Sequence, residues 1–270
     1  MRSKALASPY MAWMAIFTIV PLAVVAYYAF TNNAGEFTLD NLANAATYWP
    51  TFLRSVWYAL AACVICLIIG YPVAYVIAQT GARTQRVLYL LVTLPMCMSF
   101  LLRTLAWVAL LRDTGIINSF LGSVFGIGPL PLIRNGGSVI MGMVYNYLPY
   151  MIMPLYTVIV KLDPRLIEAA QDLGCDSFQV FRRVILPLSV PGIVSGITMV
   201  FVPAVSTFYI SQKLGGTNNT MIGDVIELQF KGSLNRNFGA AMSLVLMLLV
   251  FVSIWLMNRF TDDEEGVATI

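Results

Sequence analysis

The chain has 270 residues, 59% hydrophobic and only 11% charged, with a formal net charge of +3 and a mean hydropathy of +0.79. Soluble domains carry about 25% charged residues, so this composition excludes an ordinary water-soluble fold and describes an integral membrane protein. The sequence contains no histidine, which excludes Ser-His-Asp triads, Cys-His pairs and His-ligated zinc or haem from this chain.

Uncharged runs at 5–35, 55–82, 135–160, 184–212 and 237–258, and a sixth at 87–111 broken only by Arg103, each reach the ~20 residues that span a bilayer core as helix. They predict an all-α protein with six spans near 9–30, 55–79, 87–111, 138–160, 184–210 and 238–258, forming one transmembrane domain over 1–270. Arg2 and Lys4 precede the first run. That run is longer than a signal-peptide core and lacks a small-residue cleavage site, so it reads as an anchor. With the N-terminus inside, Arg2, Lys4, Arg83, Arg86, Lys161, Arg165, Arg182, Arg183 and Arg259 fall on the cytoplasmic side, against Arg54, Arg112, Arg134, Lys213, Lys231 and Arg236 outside, an excess that the positive-inside rule favours. The C-terminus then returns to the same side.

In the second span, Cys63 and Cys66 have redox-like spacing but sit in mid-span, which favours ordinary helix packing. Arg103, within the third span, is expected to snorkel outward or pair with a carboxylate. Prolines at 21, 72, 95, 149, 154, 191 and 203 predict kinks. Between the fourth and fifth spans, residues 163–187 form a charged, helix-competent island. Asp163 can cap a helix, Pro164 suits its first turn, and the helix formers from Arg165 to Leu173 end at Gly174, which can take left-handed angles. Asp176 and Ser177 can start a second short helix, giving a ledge on which Ala169 and Ala170 leave a shallow surface and Glu168 offers a hydrogen-bond acceptor. No Gly-x-x-x-x-Gly-Lys-Ser/Thr phosphate loop occurs, so if ATP drives this protein another subunit binds it.

The spacing of Glu168, Ala169, Ala170, Gly174, Leu186 and Pro187 resembles the EAA loop of permease subunits of bacterial ATP-binding-cassette importers, with Val184 where that pattern usually has Ile. The segments Arg103 to Leu121, Tyr71 to Tyr75, Leu214 to Gly223 and Phe201 to Ser211 are similar to spermidine/putrescine permeases. The resemblance implies a type I importer permease of MetI-like fold in the bacterial plasma (inner) membrane, forming half of a polyamine pore. It also implies a second homologous permease, two cytoplasmic ATPases, which would carry the ATP and Mg²⁺, and an extracytoplasmic substrate-binding protein. The ATPase-coupling residues would be Glu168, Ala169, Ala170, Gly174, Leu186 and Pro187; the chain itself would hold no cofactor, no metal and no catalytic residue.

A flexible polycation needs carboxylates for its ammonium groups and aromatic faces for its methylenes and cations. Pathway candidates are Trp107, Tyr145, Phe208, Tyr209, Asp224 and Glu227, with Tyr147, Tyr150 and Asp113 beside them. Asp224 and Glu227 lie in an outer loop, three apart and able to share a helix face; solvated loop charge is the plainer reading of both. The alternative readings are an importer permease for another small substrate, a cationic amino acid, thiamine or iron, and an ion-coupled secondary transporter. An ion-coupled secondary transporter would call for intramembrane carboxylates or an internal repeat, and the predicted spans contain no Asp or Glu.

Overall fold

The computed structural model describes residues 2–32, 34–126, 128–231 and 235–265. Helix occupies all six stretches where spans are expected. In chain order the helices are α1 (Arg2–Ala29), α2 (Asp40–Ala46), α3 (Trp49–Gln79), α4 (Ala82–Thr93), α5 (Phe100–Leu111), α6 (Ile116–Phe125) and α7 (Gly136–Ile159). They continue as α8 (Pro164–Asp172), α9 (Ser177–Val180), α10 (Leu186–Leu188), α11 (Val190–Ser206), α12 (Ile222–Lys231) and α13 (Arg236–Glu265). No strand occurs among the described residues beyond an isolated bridge between Thr31 and Phe37.

The centre is a three-helix packing of α3, α7 and α11. Lipid tails are as apolar as leucine, so helices in a bilayer associate through close packing rather than hydrophobic transfer, and small residues let them approach. On α3 the inward face carries Ala59, Ala62, Cys63, Cys66 and Ala74, which meet Met143, Met151, Ile152 and Leu155 of α7 in one buried cluster. Gly70 and Gly196 lie directly against Met151: an added Cβ would stand 3.2 Å from its Cγ and 2.6 Å from its Sδ, respectively. All four cysteines are free, with Cys63 and Cys66 buried in this packing.

A second packing joins α1, α2 and α13, where Ala29, Ala240 and Ala241 are buried together. The Asn237 and Asn41 amides donate to the Thr31 carbonyl at 2.6 and 2.9 Å, tying the end of α1 to both neighbours. Large apolar side chains remain exposed along α1 and α3, among them Trp13, Phe17, Trp57 and Ile68, as an outward surface facing hydrocarbon requires.

Two expected spans differ from straight rods, and the chain turns sharply just past the end of a third. Within 87–111 the helix stops after α4, passes through a tight turn at Leu94–Cys97 and restarts at Phe100, with an 87° bend between Ala82–Cys97 and Phe100–Phe125. Pro95 removes a donor, Met98 is extended, and the chain cannot carry the ladder through. Ser177–Leu188 meets Val190–Ser206 at 62°, and α7 meets α8 at 69°. Trp49–Gln79 and Arg236–Met257 are each long and apolar enough to cross a membrane alone; the three bent pairs qualify only when each is taken together, and Trp13–Ala29 is shorter.

Candidate functional site

At one end of the bundle α8 and α9 build the ledge. The Asp163 carboxylate accepts from Arg165 N at 3.0 Å, capping α8 behind Pro164. Gly174 has φ +85°; its N–H donates to Gln171 O at 2.8 Å and Cys175 N–H donates to Ala170 O at 3.1 Å, which satisfies the last carbonyls of α8. Asp176 and Gln179 then form a reciprocal capping box at the start of α9. The chain continues through a widened turn at Phe181–Ile185 into α10.

The ledge is coupled to the bundle by aromatic edges. The Phe181 ring meets Tyr71 at 5.5 Å and Tyr75 at 6.3 Å, both nearly perpendicular. Tyr71 and Ser189 share a hydrogen bond of 2.8 Å between their hydroxyls. Displacement of the ledge therefore bears on the ends of α3 and α11 together.

Glu168, Ala169, Gly174 and Pro187 are exposed and Leu186 half-buried, but Ala170 is not part of the open surface. It packs inward with Val180 and Ile185, because the face of α8 that carries it settles against α9 and the turn that follows. The outward apolar surface comes instead from Leu173, Phe178 and Leu166, which are 86%, 68% and 47% exposed. The charged composition of the island hid these residues; two bulky apolar side chains flanking a turn glycine were the available signal.

At the opposite end, the chain from Ser206 to Gly223 is folded into a fixed cap. Leu214 O accepts from Arg134 N at 2.7 Å and from Ser138 Oγ at 2.8 Å. Arg54 donates to Asn218 O at 2.6 Å, and Tyr58 donates to Asn219 Oδ1 at 2.9 Å. Asp224 is the latch. Only 7% exposed, it accepts from Ser211 Oγ at 2.9 Å and from Met221 N at 2.6 Å, while Ile222 N donates to Ser55 Oγ. Burial pushes the Asp224 carboxyl up to about 6, against the pull of those hydrogen bonds. Because that value stands above the ordinary carboxylate range, the stability linked to this proton is present at acidic pH and lost as pH rises through about 6.

The expectation of two solvated loop carboxylates is thus corrected for Asp224, which is buried by contacts from a segment 13 residues away. Glu227, one turn along α12, is half-buried and pairs with Lys231 and Gln212. Slight burial opposes its ionisation, but the Lys231 and Gln212 contacts outweigh that and hold its carboxyl below the ordinary value. Both acids line a cavity of about 430 Å³ with Gln212, Leu228 and Lys231. A neighbouring apolar cavity of about 520 Å³ brings Phe208 together with Glu227, Phe230 and Met247.

Apart from Phe208, the aromatic candidates form a seam between α5, α7 and the segment just after α11. Trp107 meets Tyr145 edge-on at 5.3 Å, Phe100 meets Tyr209 at 6.2 Å, and Tyr147 meets Tyr150 at 6.3 Å. The cation over Tyr209 is this chain's own Lys213, at 5.7 Å from the ring centre. Arg103 makes no ion pair among the described residues: it is 8% exposed, and its Nε and Nη1 are buried without a hydrogen-bond partner there. Its α5 face turns into the bundle rather than to the outer interface. Among the described residues no group of three metal-ligating side chains occurs.

Residues 68–263 match the family described as binding-protein-dependent transport system inner membrane component. The chain is 38% identical over 259 residues to the spermidine/putrescine transport system permease protein PotB of Haemophilus influenzae, covering 92% of this chain and 90% of that protein. It is 36% identical to PotB of Escherichia coli K12, covering 93% and 96%, and 31% identical to the inner membrane ABC transporter permease protein YdcU of the same strain, covering 83% and 76%. Among solved structures, a bacterial ABC transporter involved in import of the acidic polysaccharide alginate matches with TM-score 0.76 over 96% of this chain and 94% of that one at 18% identity. The MetNI methionine ABC transporter matches with TM-score 0.61 over 80% and 94% at 16% identity. With that family match covering most of the chain, the ledge and the helical bundle beneath it belong to a binding-protein-dependent transport system inner membrane component.

Proposed function

We propose that this chain is the permease subunit of an ATP-driven importer of polyamines, spermidine or putrescine, in the bacterial plasma membrane. The observation that carries this reading is the 38% identity to PotB across nearly the whole chain, combined with a ledge whose exposed apolar side chains flank a left-handed glycine. The chain crosses the membrane six times, with both termini and the ledge cytoplasmic. Arg83 and Arg86 in the first two turns of α4, and Arg182 and Arg183 on the ledge, support that orientation.

On this reading a cytoplasmic ATPase receives the ledge in a groove, with Leu173 and Phe178 as apolar anchors and Glu168 as an acceptor for a basic or amide group. ATP and Mg²⁺ are bound by two copies of that ATPase; this chain carries out no hydrolysis and binds no cofactor. A second homologous permease completes the pore, and an extracytoplasmic binding protein delivers substrate to the capped end. Rotation of the ledge moves Phe181 against Tyr71 and Tyr75, which tilts α3 and α11 and opens the central packing. Trp107, Tyr145, Phe208 and Tyr209 offer aromatic faces to methylenes and ammonium groups, and Glu227 attracts cations at the entrance. Asp224 acts there by holding the cap.

The test is uptake of radiolabelled spermidine and putrescine by cells in which only this chain is deleted or restored. Deletion is expected to lower uptake at least ~10-fold, with competition by unlabelled polyamines and none by arginine or thiamine. Uptake unchanged by deletion, or blocked by arginine or thiamine instead, overturns the polyamine assignment.

A further inference from the structure

Arg103 is the single Lys, Arg, Asp or Glu within the six expected spans, and it has no place in the transport scheme above. Phe100 and Trp107, three residues before it and four after, share its face of α5, and their rings meet Tyr209 and Tyr145. Arg103 therefore lies midway along the aromatic seam. On α7, the Tyr147 hydroxyl donates to Pro203 O. No ion pair with Arg103 exists among the described residues. Tyr145, 37% exposed, leaves the seam with an open edge.

A buried cation without an anion adds nothing to packing that an apolar side chain of its size would not supply more favourably. It also opposes a cationic cargo. What it does exert is a field: in low-dielectric surroundings a fixed positive charge raises the energy of any small cation entering the space beside it. The geometry points to Arg103 as an electrostatic barrier that keeps the resting pathway closed to small inorganic cations. This inference rests on the seam lining the pathway of the importer proposed above. A polyamine crosses the same barrier because the ATP cycle drives it and the aromatic faces meet its ammonium groups. A leaking sodium or potassium ion has only the membrane potential and its own gradient.

The assembled importer, reconstituted in liposomes without ATP, is loaded with rubidium, iodide and sucrose, and the efflux of each is followed. The native complex is expected to release iodide faster than rubidium. Arg103→Gln should raise rubidium efflux on the order of 10-fold with sucrose retained, and Arg103→Lys should restore tightness because the charge returns without the guanidinium shape. Rubidium efflux from Arg103→Gln equal to native, or a rise shared by iodide and sucrose, overturns the barrier in favour of a packing role. Should Arg103→Gln not assemble, the native ratio decides, and rubidium leaving as fast as iodide or faster refutes the proposal. ATP-dependent polyamine uptake by the native complex is measured in the same vesicles, so loss of the importer reading is told apart from loss of the barrier.

Discussion

Gly174→Asp is expected to lower ATP-driven uptake by at least ~10-fold while the chain remains in the membrane at normal abundance. Gly174 stands at φ +85°, and a Cβ built there meets nothing within 4 Å. The substitution therefore causes no clash inside the chain; its internal cost is the left-handed backbone, about 1 kcal/mol. The larger effect falls on docking, because a carboxylate placed between exposed Leu173 and Phe178 would have to be desolvated against a partner. Co-purified ATPase per permease should fall, and Gly174→Ala, which carries the backbone cost alone, should be far milder. Normal uptake by Gly174→Asp at normal abundance would remove the ledge from the coupling path.

Gly223→Val is expected to destabilise the capped end by about 3 kcal/mol or more. A Cβ at Gly223 would lie 2.6 Å from the carbonyl oxygens of both Ser206 and Thr207. These are main-chain atoms at the end of α11, so relief demands unwinding that end, and Asp224 next door loses its register with Ser211 and Met221. The thermal midpoint of the purified protein should drop roughly 5–10 °C, with uptake lost in parallel. Gly81→Ala, where nothing lies within 4 Å and no positive φ is recorded, serves as the control and should stay within about 0.5 kcal/mol of native. Equal stability of the two variants would contradict the close approach of α12 to α11.

Features set by adjacent residues were legible in the sequence. The Asp163 cap, Pro164 in the first turn and the left-handed Gly174 follow from steric and hydrogen-bonding rules acting over a few positions, and each is present. The helical stretches were legible too, since long uncharged runs allow little else in a bilayer. Directions in space were not. Whether Ala170 faces out or in depends on how α8 settles on Val180 and Ile185. The burial of Asp224 depends on Ser211, brought back by the cap, and the bend after α4 depends on packing as well as on Pro95. Arg103 was read by the general cost of an intramembrane charge, which predicts a partner or an escape route; among the described residues no partner carboxylate faces it.

As the proposed importer permease, this chain carries polyamines across the membrane at the expense of ATP hydrolysed by a partner. Proteoliposomes containing this chain, its second permease and the ATPase, supplied with ATP inside and the polyamine-loaded binding protein outside, test it most directly when proton and sodium gradients are collapsed. Labelled spermidine or putrescine is expected to accumulate, to stop accumulating when ATP or the binding protein is withheld, and to be unaffected by the loss of ion gradients. Accumulation that persists without ATP, or that disappears when the gradients are collapsed, would contradict it.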